Sequence, residues 1–208
     1  GFSGAIEDIV GQVPLPAAIL HLKFETKGPE TYHGDAKISA TDCGLGLGKC
    51  LVLDGNGDWV TVGNLGIPAN GTATISGWFK FNRFASTPPP PRTNFLQSLL
   101  YQHSSNDRLY VTGNNDYFMV TADPGFQINK WHHIVLTYSG DDTTAKLYLN
   151  TKKFAINQQT GDTNAMGALS NFTVSRDESF DGFIDDVRVY DTVLTEKQIK
   201  GLFKMGKP

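Results

Sequence analysis

The sequence predicts an all-β protein, a two-sheet antiparallel sandwich with a short helix at each end. Three observations predict it. Apolar and polar residues alternate with period two in short runs along most of the chain. Gly, Asn and Asp clusters separate these runs at short intervals, a pattern of turns rather than of βαβ crossovers. The 208 residues include 13 Phe, 7 Tyr, 22 Gly and 10 Pro, a composition suited to strands and turns more than to long helices.

Residues 1–17 read as a leader or linker. Ser3 can cap a short helix over residues 1–12, with Ile6, Ile9 and Val10 near one face, and Pro14 and Pro16 stop it. Residues 18–208 read as one domain, without repeats or an internal boundary. Ala18 to Glu25 alternates, with Ile19, His21, Lys23 and Glu25 on one face and Leu20, Leu22 and Phe24 on the other. Leu51 to Val62 holds two strands around Asp54-Gly-Asn-Gly-Asp58, which reads as a β-hairpin turn with Asn56-Gly57 at positive φ. That run resembles the start of an EF-hand loop, but no acid follows at the twelfth position.

Ala73 to Phe81 alternates Ile75, Gly77, Phe79 and Phe81 against Ser76, Trp78 and Lys80. Ser86 to Thr93 contains four successive prolines, which have no N–H to give a ladder, so it reads as a polyproline II surface loop. Further strands are predicted over 94–102, 108–112, 117–121, 131–138, 144–150, 152–157, 171–175 and 182–190. At the end, Thr195-Glu-Lys-Gln198 has capping-box spacing, and Leu194 and Ile199 are placed as a hydrophobic staple. Gly201 limits this helix to about two turns.

The bulk numbers exclude several classes. Net charge is −3, so the basic footprint of a nucleic-acid binder is missing. No run approaches the roughly 18 apolar residues of a membrane span. Cys43 and Cys50 flank a Gly-rich stretch, with a spacing wrong for redox CxxC and no second pair for zinc. A local disulfide is expected, which places the protein outside the cell or at its surface; the alternative is two free thiols. The chain starts at Gly1, which reads as a piece of a larger chain or assembly. The sequons at Asn70 and Asn171 would be modified only in a eukaryotic secretory route.

Catalytic patterns are weak. Glu7, Glu25, Glu30, Glu178 and Glu196 show no paired spacing of the kind glycosidases place on one strand. His132 and His133 are adjacent on a strand, so they face opposite ways and read as hydrogen-bonded sheet residues. No GxSxG elbow is present.

Five segments carry a resemblance, in order. They are Ala18-Ile-Leu-His-Leu-Lys-Phe-Glu25, Gly48-Lys-Cys-Leu-Val-Leu-Asp-Gly-Asn-Gly-Asp-Trp-Val60, Thr74-Ile-Ser-Gly-Trp-Phe-Lys80, Lys130-Trp-His-His-Ile-Val-Leu-Thr-Tyr-Ser-Gly-Asp141 and Phe180-Asp-Gly-Phe-Ile-Asp-Asp-Val-Arg-Val-Tyr190. Together they resemble LamG-like domains of the concanavalin A-like lectin and glucanase superfamily. Leu53 stands where that family usually has Phe, and Trp59 where it usually has Tyr. The resemblance implies a jelly roll with one concave face, with the last strand beside the first, and with Trp78 and Trp131 in the core.

It also implies a structural calcium on the convex side, where those two strands meet. Glu25 and Asp186 are the candidate ligands, with carbonyls from the Gly44 to Gly48 loop; Asp186 pairing with Arg188 or turn amides is the alternative. Asp185 and Asp186, as strand neighbours, are expected to face opposite ways. Sugar rings stack their C–H faces on aromatic rings and offer hydroxyls to polar groups. The residues of those types in the central strands and loops are Tyr101, His103, Tyr110, Asn114, Tyr117 and Arg176, with the three tyrosines expected to be exposed. The functional expectation is a non-catalytic recognition or adhesion module that binds a glycan. A structural or protein-contact domain of a surface assembly, such as a pilus, fibre or adhesin, is the alternative, as is an accessory domain of a glycan-active enzyme.

Overall fold

A computed structural model describes residues 13–44, 46–83, 92–96, 100–103, 108–112, 117–120, 125–158, 166–175 and 180–206. In chain order the first strands are β1 (Leu20–Leu22), β2 (Thr31–His33), β3 (Lys37–Ile38), β4 (Leu51–Asp54), β5 (Trp59–Gly63) and β6 (Thr72–Phe81). Next come β7 (Arg92–Leu96), β8 (Leu100–His103), β9 (Arg108–Thr112), β10 (Tyr117–Val120), β11 (Trp131–Ser139) and β12 (Asp141–Leu149). The last are β13 (Lys152–Phe154), β14 (Ile156–Gln158), β15 (Phe172–Val174) and β16 (Asp181–Tyr190), followed by one helix, α1 (Glu196–Met205). The predicted N-terminal helix and the proline run Pro88 to Pro91 lie outside the described residues.

The strands form two antiparallel sheets. The first runs β13-β12-β11-β6-β16-β4-β3, with β1 also on β16. The second runs β14-β10-β9-β8-β7-β15-β5-β2. The closing strand does lie beside the opening one, with Leu20 opposite Val189 and Leu22 opposite Val187. One core fills the space between the sheets. It takes Ile75, Phe79, Phe81, Ile184 and Val187 from the first, and Val60, Leu100, Val111, Phe172 and Val174 from the second. Alternation explains this, since each strand turns every other residue inward. Fully burying one such side chain contributes about 1.5–3 kcal/mol. Gly182 is obligatory in β16: its φ is +152°, and a Cβ there would overlap the Lys80 carbonyl oxygen.

A second cluster lies on the outer face of the first sheet, where Val135, Tyr148 and Tyr190 meet Leu194, Ile199 and Leu202 of the α1 region. The capping box forms as read, with Thr195 Oγ1 accepting the Gln198 N–H and the Gln198 side chain accepting the Thr195 N–H. At ten residues the helix outlasts the two turns expected. Its buried face offsets the cost of Gly201, which meets nothing on its open side.

Several local expectations are corrected. The run after Asp54 is not a hairpin turn: β4 belongs to the first sheet and β5 to the second, so it is a corner between sheets. Gly55 and Gly57, not Asn56, take the positive φ there. Arg92 and Thr93 do join a ladder, opposite His103 and Gln102. The predicted strand 94–102 is two strands, and 152–157 divides between the two sheets. Trp78 is buried, but under α1 rather than between the sheets: its ring stacks on Phe203 at 5.3 Å. Trp131 is only half-buried, on the outer side beside Phe183, where its indole N–H reaches the Cys43 carbonyl at 3.2 Å. Its register partner Lys80 faces outward, so Trp131 must too.

Candidate functional site

The first candidate site opens where β1 meets β16. Alternation should send Asp185 and Asp186 to opposite faces, but β16 carries one extra residue against β6 between Asp185 and Arg188. Asp186 takes up that bulge with φ +48°. Both carboxylates therefore line one cleft of about 170 Å³, together with His21, Lys23, Leu47 and Arg188. This overturns the opposite-face expectation.

The two carboxylates differ in their partners. Asp186 Oδ1 is held by His21 Nε2 at 2.6 Å and by Arg188 Nε at 2.9 Å. Asp185 Oδ1 accepts the Asp186 N–H at 2.7 Å. Its other oxygen, Oδ2, is buried with no hydrogen-bond partner among the described residues. Burial pushes the Asp185 carboxyl up to about 8; the Asp186 amide opposes this, and the charges of Asp186, Glu25 and Asp42 add to it. Asp185, Trp78 and His133 are register partners across β16, β6 and β11. Each carries a buried polar atom without a partner among the described residues: Asp185 Oδ2, Trp78 Nε1 and His133 Nδ1.

A hard divalent cation needs several oxygen ligands. Among the described residues, no three acids of this cleft bring their oxygens within 4.8 Å of one another. Asp186 already accepts from the Arg188 guanidinium and meets the His21 ring, so the alternative reading of it, pairing with Arg188, is the one observed. Asp185 has the unsatisfied oxygen, and the charges of Asp186, Glu25 and Asp42 reach it. Glu25 accepts the Lys49 N–H at 3.2 Å, which ties it to the Gly-rich loop. Cys43 and Cys50 are joined as a disulfide across that loop.

A second acidic group forms at the sheet corner, where oxygens of Asp35, Asp54 and Asp58 lie within 4.8 Å of one another. Asp58 is 1% exposed. Its two oxygens accept the Asp35 N–H at 2.8 Å and the Asp54 N–H at 2.9 Å. Burial raises its carboxyl pKa and these amides pull it down. The group could hold a metal ion; in this arrangement Asp58 already fastens two turns together. The sequence run Asp54 to Asp58 marked the place, but Asp35 comes from the turn after β2 and was not foreseen.

The predicted sugar-contacting residues divide. Asn114 and Arg176 lie outside the described residues. Tyr101, His103, Tyr110 and Tyr117 lie on neighbouring strands of the second sheet, with Tyr101 opposite Tyr110, His103 opposite Arg108 and Tyr117 opposite Thr112. Leu109 and Val111 enter the core, so Tyr110 points to the outer face. It is nevertheless only 8% exposed, against expectation.

The outer face holds residues that sequence reading passed over. Trp59 on β5 stacks on His33 of β2, with ring centroids 4.3 Å apart and planes 9° from parallel. His33 Nε2 meets Thr61 Oγ1 at 3.1 Å. Thr173, the register partner of Thr61, buries its hydroxyl oxygen with no partner among the described residues. The available signal was the alternation around Val60, which sends Trp59 and Thr61 outward together.

Two antiparallel sheets around one core, closed by the last strand beside the first, define a lectin-type β-sandwich. The chain belongs to the concanavalin A-like lectin/glucanases superfamily, whose family model matches residues 54–200. C-reactive protein 1.1 of Limulus polyphemus is 28% identical over 153 residues, 65% of this chain; the match spans 62% of that protein's length. Domain 4 of AbnA, a GH43 extracellular arabinanase from Geobacillus stearothermophilus, solved in complex with arabinotriose, superposes with a TM-score of 0.58 at 18% identity, covering 88% of this chain and 85% of that one. The botulinum neurotoxin serotype D ligand binding domain, in complex with N-acetylneuraminic acid, gives 0.66 at 16% identity, covering 90% and 50%. At these identities the superpositions establish the shared fold. No described helix is long and apolar enough to cross a membrane.

Proposed function

We propose that this chain is a non-catalytic carbohydrate-recognition module acting outside the cell or on its surface. The observation that carries the reading is the aromatic outer face of the second sheet, where Trp59, His33 and Tyr110 share one side of a lectin-family sandwich. Structural neighbours solved with arabinotriose and with N-acetylneuraminic acid support a sugar as the ligand class. The disulfide supports an oxidising compartment. The acids are engaged elsewhere: Asp58 holds two backbone amides, and Asp186 holds Arg188 and His21. That use favours binding over general acid–base work.

Residues 18–208 make up the module in this reading, and 1–17 a leader whose Pro14 and Leu15 dock on α1. The cleft at Asp185, with Glu25 and Asp42, takes a structural calcium that steadies the Gly-rich loop. A glycan array, followed by titration with Tyr101→Ala and Tyr117→Ala controls, tests the binding claim. Specific binding that weakens when outer-face residues are replaced supports it. Absence of any binder at millimolar sugar overturns it.

A further inference from the structure

Lys37, Val52, Phe183, Lys80 and Trp131 are successive register partners across β3, β4, β16, β6 and β11. Their neighbours along the strands, among them Leu51, Leu53, Phe79, Phe81 and Ile184, are buried in the core. The row itself therefore stands on the outer face of the first sheet. Lys37 is exposed and the other four are half-buried. The α1 helix packs two residues further along β6 and β11, over Trp78 and His133, and leaves this row open. Neighbouring strands lie about 4.8 Å apart, so the four steps from Lys37 to Trp131 span about 19 Å.

We propose that this row is a docking face for an extended, acidic segment of a partner protein, one that carries an apolar or aromatic side chain between its carboxylates. The inference is independent of the carbohydrate reading, whose aromatic residues stand on the other sheet. The row contains two cations and no anion. Neither Lys37 nor Lys80 forms an ion pair with a described residue. Two residues away along β4 and β16, the carboxylates of Asp54 and Asp181 are already engaged: Asp54 accepts the Asn56 N–H, and Asp181 takes Arg83 and the Asn82 amide. Asp185, the same distance the other way, is buried. The apolar part of the row is held in place. The Trp131 indole N–H donates to the Cys43 carbonyl at 3.2 Å, and the disulfide to Cys50 fixes Cys43. The Phe183 ring lies 6.4 Å from that of Trp131, and Lys80 Nζ stands over it, 5.2 Å from its centroid. Groups ordered in advance lose little freedom when a partner docks, and a well-seated Trp is the kind of residue on which interface energy concentrates. An extended chain advances about 3.3 Å per residue, so about six residues cover the row. An anionic membrane fits less well. Such surfaces are read by clusters of about 4–8 Lys or Arg, whereas this row has two, beside rings half-buried in a sheet face.

The test is fluorescence polarisation with labelled short peptides in which Asp and Glu flank one Leu, Phe or Trp, beside matched peptides with Lys in place of the acids. At least one acidic peptide should bind, with an affinity that falls as salt is raised, and its Lys counterpart should not. Lys37→Glu combined with Lys80→Glu should weaken the acidic peptide by about tenfold or more and admit the Lys counterpart. Trp131→Ala should weaken the acidic peptide by about tenfold. The double lysine variant keeps the test valid if Trp131→Ala fails to fold. Unchanged affinity in the double lysine variant overturns the proposal, as does equal binding of acidic and basic peptides, or the absence of any binder at millimolar peptide. Binding to vesicles of phosphatidylserine and phosphatidylcholine without peptide binding, lost in the double lysine variant, assigns the face to a membrane and overturns it. Self-association of the chain that Trp131→Ala abolishes assigns the face to a second copy and overturns it as well.

Discussion

Asp185 and Asp186 are consecutive residues of one strand, yet both carboxylates open onto the same cleft. The extra residue at Asp186 is the cause, and its effect is to bring two carboxyl groups to one buried point. Asp186 is balanced by His21 and Arg188, whereas Asp185 is left with an oxygen that nothing among the described residues satisfies.

Calcium should therefore stabilise the protein through Asp185. A ligand bound only by the native state at one hundred times its Kd adds about 2.7 kcal/mol, which is roughly 5–10 °C in Tm for a domain of this size. Melting with EDTA and with millimolar calcium measures the increment. Asp185→Asn should melt higher than wild type in EDTA and show no calcium increment. Equal Tm in the two buffers for the wild type would reject a cation there.

Acid should weaken the fold through His133. The residue is 2% exposed, beneath Phe203 and beside Trp78. Burial lowers its pKa to about 3; Asp186 opposes this and Arg188 adds to it. Between about 6.5 and 3 the unfolded chain binds a proton that the native state refuses, so stability is complete above 6.5 and falls as pH drops. The slope from this residue is at most about 1.4 kcal/mol per pH unit. Urea midpoints from pH 7 to pH 4 for wild type and His133→Gln should show the slope reduced in the variant.

Asp58→Ala should cost roughly 3 kcal/mol, because it leaves the Asp35 and Asp54 amides at the sheet corner without their charged acceptor. Asp58→Asn, which retains one carbonyl oxygen, should cost less. Denaturant midpoints rank the two; equal losses would mean that side-chain volume, not hydrogen bonding, matters there.

The C-terminal helix should depend more on its buried face than on its cap. Thr195→Ala removes one capping bond and should cost about 1 kcal/mol. Leu202→Ala empties space over the first sheet and should cost about 2–5 kcal/mol. Thermal melts of both variants decide the order.

Much of the fold was legible because it rests on local periodicity. The faces of β1 and β6 followed from alternation, and the capping box of α1 from four residues. The failures came where the answer depends on distant chain. The corner at Asp54 to Asp58 has the residues of a hairpin turn, and only tertiary pairing sends β4 and β5 to different sheets. The bulge at Asp186 has no signal in side-chain pattern, so the shared cleft was hidden. Trp131, expected in the core from the resemblance, is half-buried, and Tyr110, expected exposed, is buried; alternation along one strand decides neither. The Trp59–His33 stack joins residues 26 apart in sequence, and no local rule pairs them.

The contact between the Gln198 side chain and the Pro14 carbonyl, 2.9 Å long, has an architectural result. It brings both flanks of the module together on the back of the sandwich, behind the first sheet. Any neighbour joined through either flank would be tethered there, on the side of the sandwich away from Trp59 and His33.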